Sequence, residues 1–223
     1  MRLFQQPVVR IFWKDICELV KEAWAVGKKR ARWFLGAGLV VGVATVWVFP
    51  HDAEWVRALS PGKDSPMWAK QFSFWGDFYT GTLILGAILW FIGFFRKKDL
   101  WKKTAIACVL AAAFAGILVN CFRLTLGRPR PSSEIADGFY GLQKSYAYHS
   151  FPSGHAATAF GTATTIAVAL PPLGVPAVVA ATGVVAARVS LKRHYVSDIL
   201  VGGFVGICFG VAFGCAAKKT KSE

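Results

Sequence analysis

Three short stretches combine residue types that can hold an anion and attack it. The first, Arg123-Leu-Thr-Leu-Gly-Arg-Pro-Arg130-Pro131, sets two arginines seven residues apart. Pro129 and Pro131 remove backbone donors and disfavour helix in the residues before them, so Arg123 on a helix end and Arg130 in a loop can meet one ligand. Alone this is a weak signal, because a Pro-Arg loop is commonplace. The second, Pro152-Ser153-Gly154-His155, reads as a helix start. Ser153 suits the N-cap, Gly154 is small, and the free N–H groups and positive dipole end of the first turn suit phosphate. The same four residues also read as a plain serine cap beside an interfacial histidine. The third runs from Arg188 through His194 to Asp198. If it is helical, His194 and Asp198 share one face a turn apart, and the carboxylate can hold one imidazole nitrogen while the other attacks. That is the logic of nucleophile and orienting acid, with histidine as the nucleophile.

The elements that must position these residues are membrane helices. A chain of 223 residues that is 55% hydrophobic and only 17% charged is too apolar for an ordinary globular protein. Six segments approach the ~20 apolar residues needed to cross hydrocarbon: 33–49, 79–95, 104–122, 155–170, 174–187 and 199–217. The fourth and fifth are short and contain polar residues. The predicted fold is therefore all-α: a polytopic membrane protein with six transmembrane helices, an N-terminal amphipathic helix over residues 1–32, a bundle over 33–217 and a tail over 218–223. Lys14, Asp15, Glu18, Lys21 and Glu22 break any signal-peptide core, while Phe12, Ile16, Leu19 and Ala23 recur at helical spacing. That stripe suits a helix lying in the interface or one packed on the spans.

The charge of +14 falls in three clusters: eight cations before the first span, five over residues 96–103 and three after the last span. Six spans with both termini inside put all three clusters in the cytoplasm, so membrane orientation explains the charge and no nucleic acid is required. The segments 123–154 and 188–198 then face outward, yet with His155 at the adjoining span end they carry Arg123, Arg128, Arg130, Lys144, His149, Arg188, Lys192, Arg193 and His194. Charges at span ends commonly snorkel as anchors. Convergence from segments far apart in sequence points instead to an anion site. Arg128, Lys144, Lys192 and Arg193 suit either a second phosphate or plain solvation.

The three stretches together resemble the signature of the phosphatidic acid phosphatase type 2 superfamily: Lys-x6-Arg-Pro, Pro-Ser-Gly-His, and Ser-Arg-x5-His-x3-Asp. Order and spacing match from residue 123 to residue 198, with Arg123 in place of the usual Lys and Ala187 in place of the frequent Ser. Arginine keeps the charge but adds a planar fork, so phosphate contact survives with altered geometry. The resemblance implies that Arg123, Arg130 and Arg188 grip phosphate oxygens, assisted by Ser153 and the Gly154 N–H. It implies that His194 attacks phosphorus, Asp198 orients it, and His155 protonates the leaving oxygen and then activates water. The expected activity is metal-independent hydrolysis of a lipid phosphate or diphosphate, with no cofactor, in a bacterial inner membrane with the site on the periplasmic side.

Alternatives of other classes stay open on the sequence: a phosphatase or phosphotransferase for a soluble phosphomonoester, a zinc site on the two histidines and the aspartate, or a non-catalytic transporter or binder of anionic lipid. Repulsion by at least three arginines opposes zinc, and mere binding needs no His194–Asp198 pair. Trp47, Trp55, Trp68, Phe72, Phe74 and Trp75 suit an interfacial belt, as anchors or as flanks for a lipid chain. Cys17, Cys108, Cys121, Cys208 and Cys215 read as small apolar side chains rather than disulfides or a metal site.

Overall fold

A computed structural model describes residues 7–60 and 66–219, with side chains described from residue 13. It is all-helical, and among the described residues no strand forms. Among the described residues eight α-helices follow one another: α1 Pro7–Val48, α2 Asp52–Leu59, α3 Met67–Trp75, α4 Leu83–Phe95, α5 Asp99–Leu126, α6 Gly154–Ala169, α7 Gly174–Ser190 and α8 Val196–Lys219.

The N-terminal segment differs from expectation, because α1 runs through 42 residues with no break between an interfacial helix and the first span. At 1.5 Å per residue it is about 63 Å long, twice the hydrocarbon thickness. Its stripe packs on the bundle: Leu19, Ala23 and Val26 are buried with Leu89, Ala105, Ala169 and Phe213. The side chain of Phe12 lies outside the described residues. Further along α1, Leu35, Leu39, Val43 and Val46 stay exposed, as suits a face turned to lipid.

Among the described residues five segments are long and apolar enough to cross a membrane: 13–59, 78–95, 99–126, 171–190 and 196–219. The remaining expected span is α6, which has only 16 residues. It is the core of the fold nevertheless, packed against α5, α7 and α8. Very small side chains let it sit there. A Cβ on Gly202, Gly206 or Gly210 of α8 would come within 2.3 Å of Ser153 O, 2.3 Å of Ala157 O and 2.6 Å of Thr164 Cβ respectively. This four-residue glycine ladder brings α6 and α8 into backbone contact, the close approach that membrane helices use where no hydrophobic force drives association. It fixes the start of α6 beside the start of α8.

The first outer connection is not a plain loop. It folds into α2 and α3, and α3 packs on α7.

Candidate active site

Helix ends supply the site. Gly127 caps α5 in the left-handed conformation at φ 61°, and a Cβ there would meet Gly141 O at 2.1 Å, so glycine is required. That turn sends Arg128, Pro129 and Arg130 inward, where all three are buried. Ser153 caps α6, its Oγ accepting from Ala156 N, and its own N–H donates to Asp198 O at 3.0 Å. Beyond α7 the chain turns through Lys192, at φ 53°, and the N–H groups of Arg193 and His194 donate to Arg188 O. This tight return lays His194 beside Arg188. The segment 191–195 is thus a turn rather than the helix on which the direct His194–Asp198 pairing was expected.

The consequence is a different arrangement of the pair. His194 is buried, and its Nδ1 donates to Ser150 O at 2.8 Å, whereas Asp198 Oδ2 is 3.6 Å away. A carbonyl can only accept, so Nδ1 carries the hydrogen and Nε2 keeps its lone pair. Asp198 works one step back. Its Oδ2 accepts from Ser150 Oγ at 2.5 Å and from Tyr195 N at 2.8 Å, the latter being the rear half of a capping box on α8. Sequence reasoning missed Ser150, whose only signal is its place two residues before Pro152.

Arg123, Arg130, Arg188, His155 and His194 come together. His155 lies within electrostatic reach of Arg188, His194, Arg123 and Arg130. Arg123 lies on the first turn of α6, where a Cβ on Gly154 would meet its Nη2 at 2.4 Å. Arg130 stacks on the Tyr146 ring at 3.8 Å and donates to Tyr146 O and Arg193 O. Arg188 donates to Ser73 Oγ on α3 at 2.5 Å, a partner with no sequence signal. Two buried atoms, Arg123 Nε and Arg188 Nε, have no partner among the described residues. Burial holds the Arg130 guanidinium down at about 10, and the Arg123, Arg188 and Arg193 charges add to that. Burial likewise pushes the His194 imidazole well below its ordinary value, followed by the charges of Arg188, Arg130 and Arg123. His194 is therefore neutral near pH 7, with a free lone pair in a field that attracts anions.

Arg128 is neither a second phosphate ligand nor solvated. It is fully buried and donates to Asp137 Oδ1 (2.8 Å) and Oδ2 (2.7 Å), to Asp198 Oδ1 (2.7 Å) and to Asp52 Oδ2 (2.9 Å), between the rings of Phe49 and Tyr195. Burial alone would lower its pKa, but Asp137, Asp198 and Asp52 raise it above the ordinary arginine value. Lys144, Lys192 and Arg193 are exposed. His149 Nε2 donates to Gln143 O at 3.0 Å. Among the described residues no group of three His, Cys, Asp or Glu is placed to hold a metal ion.

A cavity of about 400 Å³ opens beside the site, between the π-helical turn Phe78–Thr82, α5 and α6. Asp77, Asn120, Arg123 and His155 form its polar end, and Ala112, Gly116 and Ile117 its apolar wall.

Together these features define an all-helical integral membrane protein with a cationic pocket around a buried, neutral histidine. The PAP2 superfamily is matched over residues 104–221, and the chain belongs to it. A Lipid A 1-phosphatase of Porphyromonas gingivalis is 31% identical over 122 residues, 53% of this chain and 25% of that protein. A Lipid A 1-phosphatase of Rhizobium johnstonii is 30% identical over 101 residues, 44% of this chain and 41% of that protein. The matches thus span well under half the length of these curated relatives. The fold is similar to that of a transmembrane PAP2 type phosphatidylglycerolphosphate phosphatase from Bacillus subtilis, with a TM-score of 0.55 and 21% identity over 84% of this chain and 97% of that one.

Proposed function

We propose that the chain is a membrane phosphatase that removes phosphate from a lipid, through a phosphohistidine on His194 and without a metal. The observation that carries this reading is the pocket of three arginines around a histidine whose Nδ1 is fixed by Ser150 O and whose Nε2 is free. Arg123, Arg130 and Arg188 surround the equatorial oxygens, supplying the positive charge that Mg²⁺ supplies to other phosphoryl transfers. The Gly154 N–H and Ser153, at the start of α6, assist. His194 Nε2 attacks phosphorus, the bond from phosphorus to the ester oxygen breaks, and His155, which takes up a proton when the phosphate anion enters among the arginines, gives that proton to the ester oxygen. A water then attacks the phosphohistidine, His155 takes the water's proton, and inorganic phosphate leaves with His194 restored. Asp198 is a positioning residue that acts through Ser150 and Tyr195.

The apolar wall of the 400 Å³ cavity supports a lipid substrate, since its polar end is the catalytic end. The names of the relatives favour a lipid A 1-phosphate class. The site sits at the start of α8, away from Lys218 and Lys219 at its other end, which supports a site on the periplasmic face of a bacterial inner membrane. The test is phosphate release by purified protein from lipid A, phosphatidic acid, phosphatidylglycerol phosphate, undecaprenyl diphosphate and glucose 6-phosphate, with and without EDTA. Release from a lipid phosphate, resistant to EDTA and absent in His194→Ala, is expected. Preference for glucose 6-phosphate, or loss on chelation that one divalent ion restores, would reject the proposal.

A further inference from the structure

A second cavity, of about 340 Å³, lies at the other end of the bundle, lined by Val26, Lys29, Arg30 and Trp33 of α1 and by Cys215 and Lys219 of α8. The four α1 residues are spaced i, i+3, i+4 and i+7, so they share one helical face, and that face meets α8. Seventeen residues of α8 separate Asp198 from Cys215, about 25 Å along the axis, so this cavity is distinct from the phosphate pocket. Three cations therefore converge on one cleft. Their described counter-charge is slight: Lys219 approaches Glu22 at 3.6 Å across a largely exposed gap, and neither Lys29 nor Arg30 forms an ion pair among the described residues.

The floor of the cleft is apolar. Val26 is buried, and the Trp33 indole is 79% exposed at the point where the charged half of α1 gives way to its apolar half. Beyond Trp33, exposed Ala37 and Val40, at i+4 and i+7, continue the same face toward the lipid-facing part of the helix. Cations above, an indole at the boundary and an aliphatic track below match the parts of a phospholipid in order: phosphate, glycerol and acyl chain. A soluble anion would use only the first of these. We propose that this cleft binds the head group of an anionic phospholipid of the surrounding leaflet, with its chain laid on Trp33 and Val40. The proposal does not depend on the reaction assigned to His194.

The test is crosslinking of the full chain, in phosphatidylcholine nanodiscs, by a phosphatidylglycerol bearing a photoactivatable group on its acyl chain, with the labelled peptides mapped by mass spectrometry. Labelling is expected on α1 near Trp33 and at the end of α8. Each cation is expected to contribute about fivefold to affinity, so Lys29→Ala/Arg30→Ala/Lys219→Ala should raise the half-saturating lipid fraction roughly a hundredfold. Lys28→Ala/Arg32→Ala/Lys218→Ala removes the same charge outside the cavity lining and should leave it near the wild-type value. The single Arg30→Ala, at an exposed position, supplies the same comparison at about fivefold should the triple variant not fold. Equal loss in the two triple variants would reduce the effect to diffuse surface charge and overturn the proposal. Equal labelling by a phosphatidylcholine probe, or displacement by glycerol 3-phosphate at matching concentration, would overturn it as well.

Discussion

Gly154→Ala isolates the placement of Arg123 from the folding of the bundle. A Cβ at position 154 would stand 2.4 Å from Arg123 Nη2 and 3.4 Å from its Cζ. Ordinary contact needs roughly 3.5 Å, so the guanidinium must retreat by about 1 Å. Nη2 is the far end of a flexible side chain, and the three atoms nearest that Cβ all belong to Arg123 rather than to backbone. The folded state should therefore lose less than about 1 kcal/mol, the range of changes that leave no cavity or buried unpaired group. Catalysis is far less tolerant, because displacing a positioning group by about 1 Å can cost on the order of 10²-fold. The assay is kcat/KM for phosphate release from the best lipid substrate, beside thermal unfolding in the same detergent. Gly202→Ala is the counterpart: its Cβ would meet the Ser153 carbonyl oxygen at 2.3 Å, and backbone cannot retreat. That variant should unfold at markedly lower temperature. Wild-type activity in a folded Gly154→Ala protein would refute the placement of Arg123 on the phosphate.

Rapid quench with labelled substrate should trap acid-labile, base-stable label on wild type and none on His194→Ala; equal labelling would assign the nucleophile elsewhere. Arg128→Ala leaves Asp52 and Asp198 buried without their cation, and breaking such a pair costs about 3–5 kcal/mol, so loss of the folded protein in a denaturant series is expected. Stability should fall as pH drops below about 6.5, where the unfolded His194 gains a proton that the folded one, held lower, refuses; the slope approaches about 1.4 kcal/mol per pH unit for one proton. His194→Asn should flatten that slope by up to one proton, and an unchanged slope would mean that His194 is not held low. If His155 is the general acid, His155→Ala should lose more single-turnover rate, within the usual 10²- to 10⁴-fold, on a phosphatidic acid, whose alkoxide leaves poorly, than on a prenyl diphosphate.

Much of the site was legible because its members lie in three short runs of fixed spacing. Arg123, Ser153, Gly154, His155, Arg188, His194 and Asp198 meet in space, and the helix start at Ser153 is where its cap residue put it. The apolar segments also read well, since length and composition suffice to find them. What escaped notice depends on partners remote in sequence. Asp52 lies 76 residues from Arg128, and no period links them, so a guanidinium that holds three carboxylates looked like a surface charge. Ser150 was invisible for another reason: its carbonyl, not its side chain, receives His194, and any residue has a carbonyl. The glycine ladder from Gly202 to Gly214 was available in the sequence. It passed as generic apolar helix because the hydropathy of a segment does not record how closely its neighbour approaches.

The burial of Arg128 explains how the catalytic pocket stays cationic beside a buried aspartate. Three of the carboxylates near the site, Asp52, Asp137 and Asp198, could each have paired with an arginine of the pocket and cancelled its charge, whereas Asp77 lines the adjoining cavity and accepts from Tyr79 N. Arg128 gathers these three: Asp52, Asp137 and Asp198 each approach it within 2.9 Å. Ser197 donates its hydroxyl and N–H to Asp52, and Ser150 Oγ and Tyr195 N donate to Asp198, so further lone pairs of these two carboxylates face donors rather than the pocket. Arg123, Arg130 and Arg188 consequently form no ion pair among the described residues, and Arg123 Nε and Arg188 Nε stay open. Such unpaired, buried cations are unfavourable in the empty protein and become favourable when a phosphate dianion enters. The same separation governs His194. A carboxylate bonded directly to its Nδ1 would favour the imidazolium, whereas a neutral carbonyl fixes the tautomer and leaves the ring neutral. Placing Asp198 one hydrogen bond further away therefore keeps both the charge that the proposed phosphate binding needs and the lone pair that the proposed attack by His194 needs.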